Sequence, residues 1–292
     1  MIENLPFNRK RFLQKFMPNA SQQTTYLTEI LEKRRQRIER HFAGISIEKM
    51  RREALGARKN AEANRLQKAL KNNERTNIIA EFKRRSPSKG AINESATPEQ
   101  IARLYFENGA AAISCLTEPD FFGGSFDDLK TVVESIDDKI PVLCKDFIFD
   151  ERQIYEAAIA GASAILLIVE AFSENEIEKL KQLFLLADEL GLDVLVEVHT
   201  LEEMRIAERI EAKIIGVNNR NLQTFRVSLE TSVELIKSAP KDVVSISESG
   251  LQTRQDILRL HNLGFKGFLI GETLMKSANV GMKLKEFAAK VL

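Results

Sequence analysis

The chain is poor in the residues that build metal centres and disulfide frameworks. Its 292 residues include two cysteines and three histidines. Cys115 and Cys144 both fall in apolar, strand-like runs, which suits a reducing compartment and two small core side chains rather than a disulfide. His41, His199 and His261 are scattered, and no two share metal-ligand spacing. Only His199 falls near a functional rim, and its position alone assigns it no role. No apolar run approaches the roughly 20 residues that cross a bilayer. The opening "MIENLPFNRKRFLQKF" is broken by charges, so it has no signal-peptide core. These absences point to a soluble cytoplasmic protein. No Gly-x-Gly-x-x-Gly follows an early strand, which argues against a dinucleotide fold.

The net charge is +1, unevenly distributed. Residues 1–75 hold 18 Lys and Arg against 8 Asp and Glu, a balance of +10, and the remainder comes to −9. Acids interleave with the bases in "EILEKRRQRIERHF". That pattern fits a helical cap on an acidic body better than a nucleic-acid arm.

From about Thr25 to Leu70 the pattern is helical, with Leu27, Ile30, Leu31, Ile38 and Phe42 on one face. One or two helices are expected here. Residues 1–24 carry little periodicity and read as a loose extension, and residues 25–292 as one domain including a helical cap over 25–75. After Arg75 eight apolar, β-branched runs alternate with eight helix-like segments: "NIIAEFK", "AAISCLT", "PVLCKDF", "AILLIVE", "DVLVEVH", "IIGVNNR", "VVSISESG" and "GFLIGE". Continuous apolar strands with helical crossovers mean a parallel sheet. Eight repeats in this length fit an α/β fold closed as a (β/α)8 TIM barrel with extra N-terminal helices.

In such a barrel the chemistry sits at the C-terminal strand ends. The charged residues within the apolar runs fall there. Glu81 and Lys83, two apart on the first strand, share a face. Lys145 ends the third strand, Glu197 lies late in the fifth, Asn218 and Arg220 close the sixth, and Glu248 with Ser249 closes the seventh. So many charges in one barrel mouth cost stability unless they pair or do chemistry. Gly250 and Gly271, just after the last two strands, suit close approach of an anion to backbone N–H groups. Arg85 and Ser86 offer it a charge and a hydroxyl. In "EPDFFGGSF" paired aromatics follow the second strand, and Phe147 follows Lys145.

The ordered set "IIAEFKRRSPSKG", "FFGGS", "VLCKDFI", "AILLIV", "LVEVH", "IGVNNRNL", "SESG" and "FLIGE" closely resembles the indole-3-glycerol phosphate synthase family of tryptophan biosynthesis, from about Thr25 to the end. The resemblance implies a barrel with N-terminal helices and a carboxy-lyase using neither cofactor nor metal. The substrate would be 1-(2-carboxyphenylamino)-1-deoxyribulose 5-phosphate; the products, indole-3-glycerol phosphate, carbon dioxide and water. It implies Lys145 as general acid, and Lys83 as carboxylate binder or second acid. Glu197 would act in dehydration as base or acid. Glu81 would orient the lysines, while Asn218 and Glu248 hold hydroxyls and the charge network. Ser249 would position the sugar. Ser86, Arg220, Gly250, Gly271 and the backbone at Glu272 would hold phosphate. Phe122, Phe147 and Leu166 would hold the aromatic ring, with Pro87 nearby and Leu269 in the strand-8 wall.

Glu272 stands where some members have a small hydroxyl residue, so its carboxylate is expected to turn away. Residues 1–24 have no counterpart in the family, and no fused isomerase or amidotransferase is expected. A phosphoribosylanthranilate isomerase would show a Cys and an Asp as its acid–base pair, and a pentose-phosphate epimerase paired acids with metal-binding histidines. The rim here carries lysines and glutamates. No nucleic acid or membrane partner is implied, and the chain is expected to be a monomer or weak homodimer.

Overall fold

In the computed structural model, residues 26–87 and 89–291 are described; the extension expected over residues 1–24 lies outside them. Eight strands close into a parallel barrel. They are β1 (Asn77–Phe82), β2 (Ala112–Leu116), β3 (Val142–Lys145), β4 (Ala164–Ile168), β5 (Asp193–Val198), β6 (Ile214–Asn218), β7 (Val244–Glu248) and β8 (Gly267–Ile270). Each coincides with one of the eight apolar runs. β1 pairs with both β2 and β8, so no sheet edge remains in the barrel. After β1, Arg85–Ser86 and Gly90–Ala91 form a small antiparallel ladder that shapes the first loop.

Among the described residues three helices precede the barrel: α1 (Tyr26–His41), α2 (Ile47–Arg58) and α3 (Arg65–Leu70). The sequence pattern had indicated one or two. The third arises because Asn64 adopts a left-handed φ of 59° and breaks the chain before Arg65. Asp193 at the start of β5 then accepts from the Leu66 and Gln67 N–H groups, supplying a cap from elsewhere in the chain. Leu66 and Leu70 are fully buried. A side chain at Gly267 would lie 2.9 Å from Leu70, so α3 fits tightly against the N-terminal end of the barrel.

The outer helices are α4 (Pro98–Glu107), α5 (Phe126–Ser135), α6 (Glu151–Ile159), α7 (Ile177–Glu189), α8 (Leu201–Arg209), α9 (Glu230–Leu235), α10 (Arg254–Asn262), α11 (Glu272–Met275) and α12 (Val280–Ala288). Thr97, Ser125, Asp150, Thr200, Thr253 and Asn279 cap their helices with side-chain oxygens. Cys115 and Cys144 are neighbours across β2 and β3, both buried and both reduced. Burial raises each thiol well above its ordinary value, so they behave as small core side chains.

The N-terminal helices strap the barrel from mouth to floor. At the mouth, Arg34 of α1 donates two bonds to Asp146, at 2.9 and 2.7 Å, and both residues are buried. Asp146 also accepts from the Thr117 hydroxyl at 2.7 Å and from the Phe147 N–H at 2.8 Å. Down the side, α2 lies along α6. At the floor, Arg58 donates to the carbonyls of Ala162, Leu190 and Gly191.

Asp146 adjoins Lys145 in sequence, so this clamp fixes the C-terminal end of β3. Arg34→Leu is expected to cost about 3–5 kcal/mol, because it strands a buried carboxylate. The shift in denaturant midpoint measures it.

Candidate active site

A cavity of about 830 Å³ opens at the C-terminal ends of the strands. Glu81, Lys83, Lys145, Glu197, Asn218, Arg220, Ser249, Gly250, Leu269, Gly271 and Glu272 line it, with Phe122, Phe147 and Leu166. Nearly every residue singled out from sequence therefore meets in one place. Ser86 and Pro87 line a smaller adjoining cavity that also borders Lys83, Phe122, Phe147 and Arg220.

The centre is the Lys145 ammonium. Its Nζ lies 2.9 Å from Glu248, 3.7 Å from Glu81 and 3.8 Å from Glu197. Glu81 also accepts from Lys83 Nζ at 2.5 Å. Asn218 donates to Glu197 Oε1 at 3.0 Å. The Tyr105 hydroxyl donates to the Glu81 carbonyl at 3.1 Å, holding the end of β1. Three carboxylates thus share two ammonium groups in a buried site.

The protonation states follow from this arrangement. Burial disfavours the Lys145 ammonium, but Glu248, Glu81 and Glu197 outweigh it and hold Lys145 charged well above its ordinary range. Burial would likewise raise Glu81, yet Lys83 and then Lys145 prevail and keep it below its usual value. Glu248 goes the other way. Burial raises it, Lys145 opposes, and Glu197 and Glu81 add repulsion, so it titrates at about 7. One Glu248 oxygen is buried with no hydrogen-bond partner among the described residues. Glu248 does not line the cavity; it is 1% exposed and supports Lys145 from below. Of the two roles given to it, the structure bears on the charge network.

Two glycines have a reason the sequence did not disclose. A Cβ at Gly271 would fall 2.3 Å from the Glu81 carboxylate, and one at Gly216 would fall 2.1 Å from that of Glu248. Gly271 has a negative φ of −117°, so what it supplies is space for the carboxylate. Gly250, by contrast, adopts a φ of 80°, directly after Ser249 at 65°. Asn219 braces this bend by donating to the carbonyls of Glu248 and Ser249 and to the Ser247 hydroxyl. In the "NNR" run, Asn218 and Arg220 were singled out and the residue between them was not.

Two residues, Arg85 and Glu272, are placed otherwise than expected. Arg85 does not line either cavity; it is exposed and its stem lies where a Gly123 side chain would project. Ser86 is buried, and its hydroxyl has no hydrogen-bond partner among the described residues. The Glu272 carboxylate is not turned away. It lies 3.7 Å from Arg220 and 2.8 Å from Lys276, because those cations attract it. The "EPDFFGGSF" loop is built by Glu118, which accepts from the N–H groups of Asp120, Phe121 and Phe122. That turn presents Phe122 to Phe147, ring centroids 6.2 Å apart.

Sequence reading also missed the far wall. Leu27 and Ile30 of α1, with Leu222 and Phe225 of the loop after β6, complete the smaller cavity. Phe225 stacks edge-on against Tyr26 at 4.8 Å. The helical stripe that carries Leu27 and Ile30 was legible, but not what it covers.

Fold and rim together define a (β/α)8-barrel enzyme with a buried lysine–glutamate cluster at its mouth. Solved barrels share the architecture at low identity: 3-hexulose-6-phosphate synthase of Salmonella typhimurium superimposes with a TM-score of 0.57 at 14% identity, over 72% of this chain and 96% of that one. Thiamine phosphate pyrophosphorylase of Pyrococcus furiosus gives 0.54 at 16%, over 74% and 94%.

Sequence comparison is more specific. The family model "Indole-3-glycerol phosphate synthase" matches residues 27–287. A relative of that name from Bacteroides thetaiotaomicron is 43% identical over 263 residues, 89% of this chain and 96% of its own. Another from Streptococcus pneumoniae is 50% identical over 223 residues, 76% and 85% respectively. The chain belongs to the indole-3-glycerol phosphate synthase family.

Two measurements test the site. Glu248→Gln should stabilise the fold by on the order of 1 kcal/mol at and above pH 7. The sign follows from the raised pKa: as pH rises, the unfolded chain releases this proton before the folded one, so wild type loses stability up to about pH 7. The gain therefore fades as pH falls below that value, which denaturant melts across pH will read. Gly271→Ala should lower kcat by about 10-fold or more while circular dichroism stays unchanged, because it displaces Glu81 and with it the lysines.

Proposed function

We propose that the rim residues divide the family's reaction as follows. The enzyme closes, decarboxylates and dehydrates 1-(2-carboxyphenylamino)-1-deoxyribulose 5-phosphate to indole-3-glycerol phosphate, carbon dioxide and water. The aromatic carbon bearing the carboxylate attacks the ribulose ketone, whose oxygen gains negative charge as the new C–C bond forms. Lys145 gives that oxygen its proton. An alkoxide is a stronger base than an amine, so even a lysine held firmly charged by three carboxylates is acid enough for this step. Carbon dioxide then leaves and the ring regains aromaticity.

Dehydration removes the new hydroxyl as water and a proton from the carbon next to nitrogen. Glu197 serves this step, facing the cavity with one oxygen held by Asn218 and the other toward Lys145. Lys83 faces the substrate carboxylate or shares the acid role, tethered by Glu81. Glu248 and Glu81 keep the ammonium groups charged and oriented. Phe122, Phe147 and Leu166 embrace the aromatic ring, and Ser249 meets the sugar hydroxyls. Arg220, Ser86 and the backbone at Gly250, Gly271 and Glu272 receive the phosphate. Among the described residues no helix is long and apolar enough to cross a membrane. The small soluble substrate fits a cytoplasmic enzyme.

The observation that carries this division is the Lys145 ammonium held within 4 Å of carboxylates from three different strands, at the mouth of an aromatic-lined cavity. Its test is direct. Lys145→Ala should reduce turnover at least about 100-fold, read as growth of indole fluorescence in the presence of a chelator, with an unchanged fold by circular dichroism. Unchanged turnover would overturn the assignment.

A further inference from the structure

His199 is two residues beyond Glu197 and shares its face of the strand end. Its side chain is only 7% exposed. One ring nitrogen, Nε2, is buried and faces Glu197 Oε1 at 3.3 Å as a charge contact, with no hydrogen-bond partner among the described residues. The other, Nδ1, lies 3.3 Å from Glu203 Oε2 of α8 and 3.5 Å from Glu170 Oε2 of the turn after β4. Glu203 is itself fixed by accepting from the His199 N–H at 2.8 Å and the Thr200 hydroxyl at 3.2 Å. Glu170 accepts from the Gln223 amide at 3.3 Å, on the loop after β6. Among the described residues, every charged group that meets the imidazole, from β5, α8 and the β4 turn, is therefore a carboxylate. A neutral imidazole has a single N–H and leaves a lone pair facing a carboxylate on one side or the other; an imidazolium carries an N–H at both nitrogens, bonding Glu203 at Nδ1 and turning positive charge toward Glu197 at Nε2.

We propose that His199 is a positioning residue, carried as an imidazolium, that joins Glu197 to the Glu170–Glu203 pair and fixes the Glu197 carboxylate beside Lys145. Oε1 accepts from Asn218 and faces the positive charge of His199, so Glu197 keeps Oε2 toward Lys145 and the reacting sugar. His199 touches no reacting atom and acts through Glu197, so the inference rests on the role given to Glu197 above. Burial alone would lower the His199 pKa. The bond to Glu203 and the fields of Glu197, Glu203 and Glu170 outweigh it and place it at about 9. The sign is that of a cation gaining partners: the clamp is intact below that value and is lost as pH rises through it.

The test uses the whole protein in two ways. The first labels the ring nitrogens of histidine isotopically and follows them by NMR, with His199→Asn assigning the signal. At neutral pH both His199 nitrogens should carry protons. The second measures kcat against pH. Wild type should lose activity on an alkaline limb near pH 9. Glu203→Gln, which removes a counter-ion outside the proposed catalytic set, should move that limb down by about one pH unit. His199→Asn should lower kcat by about 10-fold with little change in KM, and the limb should vanish.

A neutral His199 ring, or a limb that stays in place in Glu203→Gln, would overturn the inference. So would stoichiometric zinc uptake by the wild-type protein that Glu203→Gln abolishes, since the three side chains would then hold a metal in place of a proton. Wild-type turnover in Glu197→Gln would instead overturn the role of Glu197 itself, a result distinguishable because the NMR signal reports the ring without reference to turnover.

Discussion

The site depends on one ammonium group held by carboxylates that arrive from three strands. Lys145 ends β3, and its partners Glu81, Glu197 and Glu248 lie on β1, β5 and β7. A closed barrel lets side chains that far apart in sequence converge on a single point. Moving such charges out of water is costly, and the cost is offset only while the geometry holds. Much of the surrounding structure serves that geometry. Gly216 and Gly271 leave room for the carboxylates of Glu248 and Glu81, Tyr105 steadies the strand that carries Glu81, and the Arg34–Asp146 clamp secures the residue next to the lysine.

The same crowding poses a conflict between stability and chemistry. Three acids around two bases leave a negative excess in a buried place, and Glu248 absorbs it by binding its proton more tightly than a carboxyl in water would. Ser249, a non-glycine residue in the left-handed region, adds a local strain that Asn219 contains through three hydrogen bonds. Such features are retained where a site needs a particular field, and they are what a more stable but inactive protein would shed.

How far the sequence disclosed all this varied with the kind of information involved. All eight barrel strands were legible, because β-branched apolar runs at regular spacing are a local signal. The rim was legible for a related reason: a charge inside an apolar run is conspicuous, as with Glu81 and Lys83. The period-two rule that paired those residues applies equally to Glu197 and His199, and it was the available clue to the histidine. Contacts between distant segments were not legible. Leu27 and Ile30 form an ordinary helical stripe until α1 is seen against the cavity wall. The break at Asn64 had no signal, since the cap for α3 comes from Asp193, far along the chain. Gly271 looked like a phosphate-binding glycine, and its need for space became visible only beside Glu81.

The strap formed by α1, α2 and α3 also bears on the order of assembly. A ribosome releases α1 before any barrel strand, yet Arg34 must wait 112 residues for Asp146, and Leu66 waits 127 for Asp193. During synthesis these helices emerge without the surfaces they are built to cover, exposing Leu27, Ile30, Leu66 and Leu70 to the surroundings. The dense basic charge along that stretch keeps the waiting segment hydrated and self-repelling. The partners that fix this segment are thus made well after it, and the cavity wall that Leu27 and Ile30 supply is complete only once Leu222 and Phe225 of the loop after β6 are present.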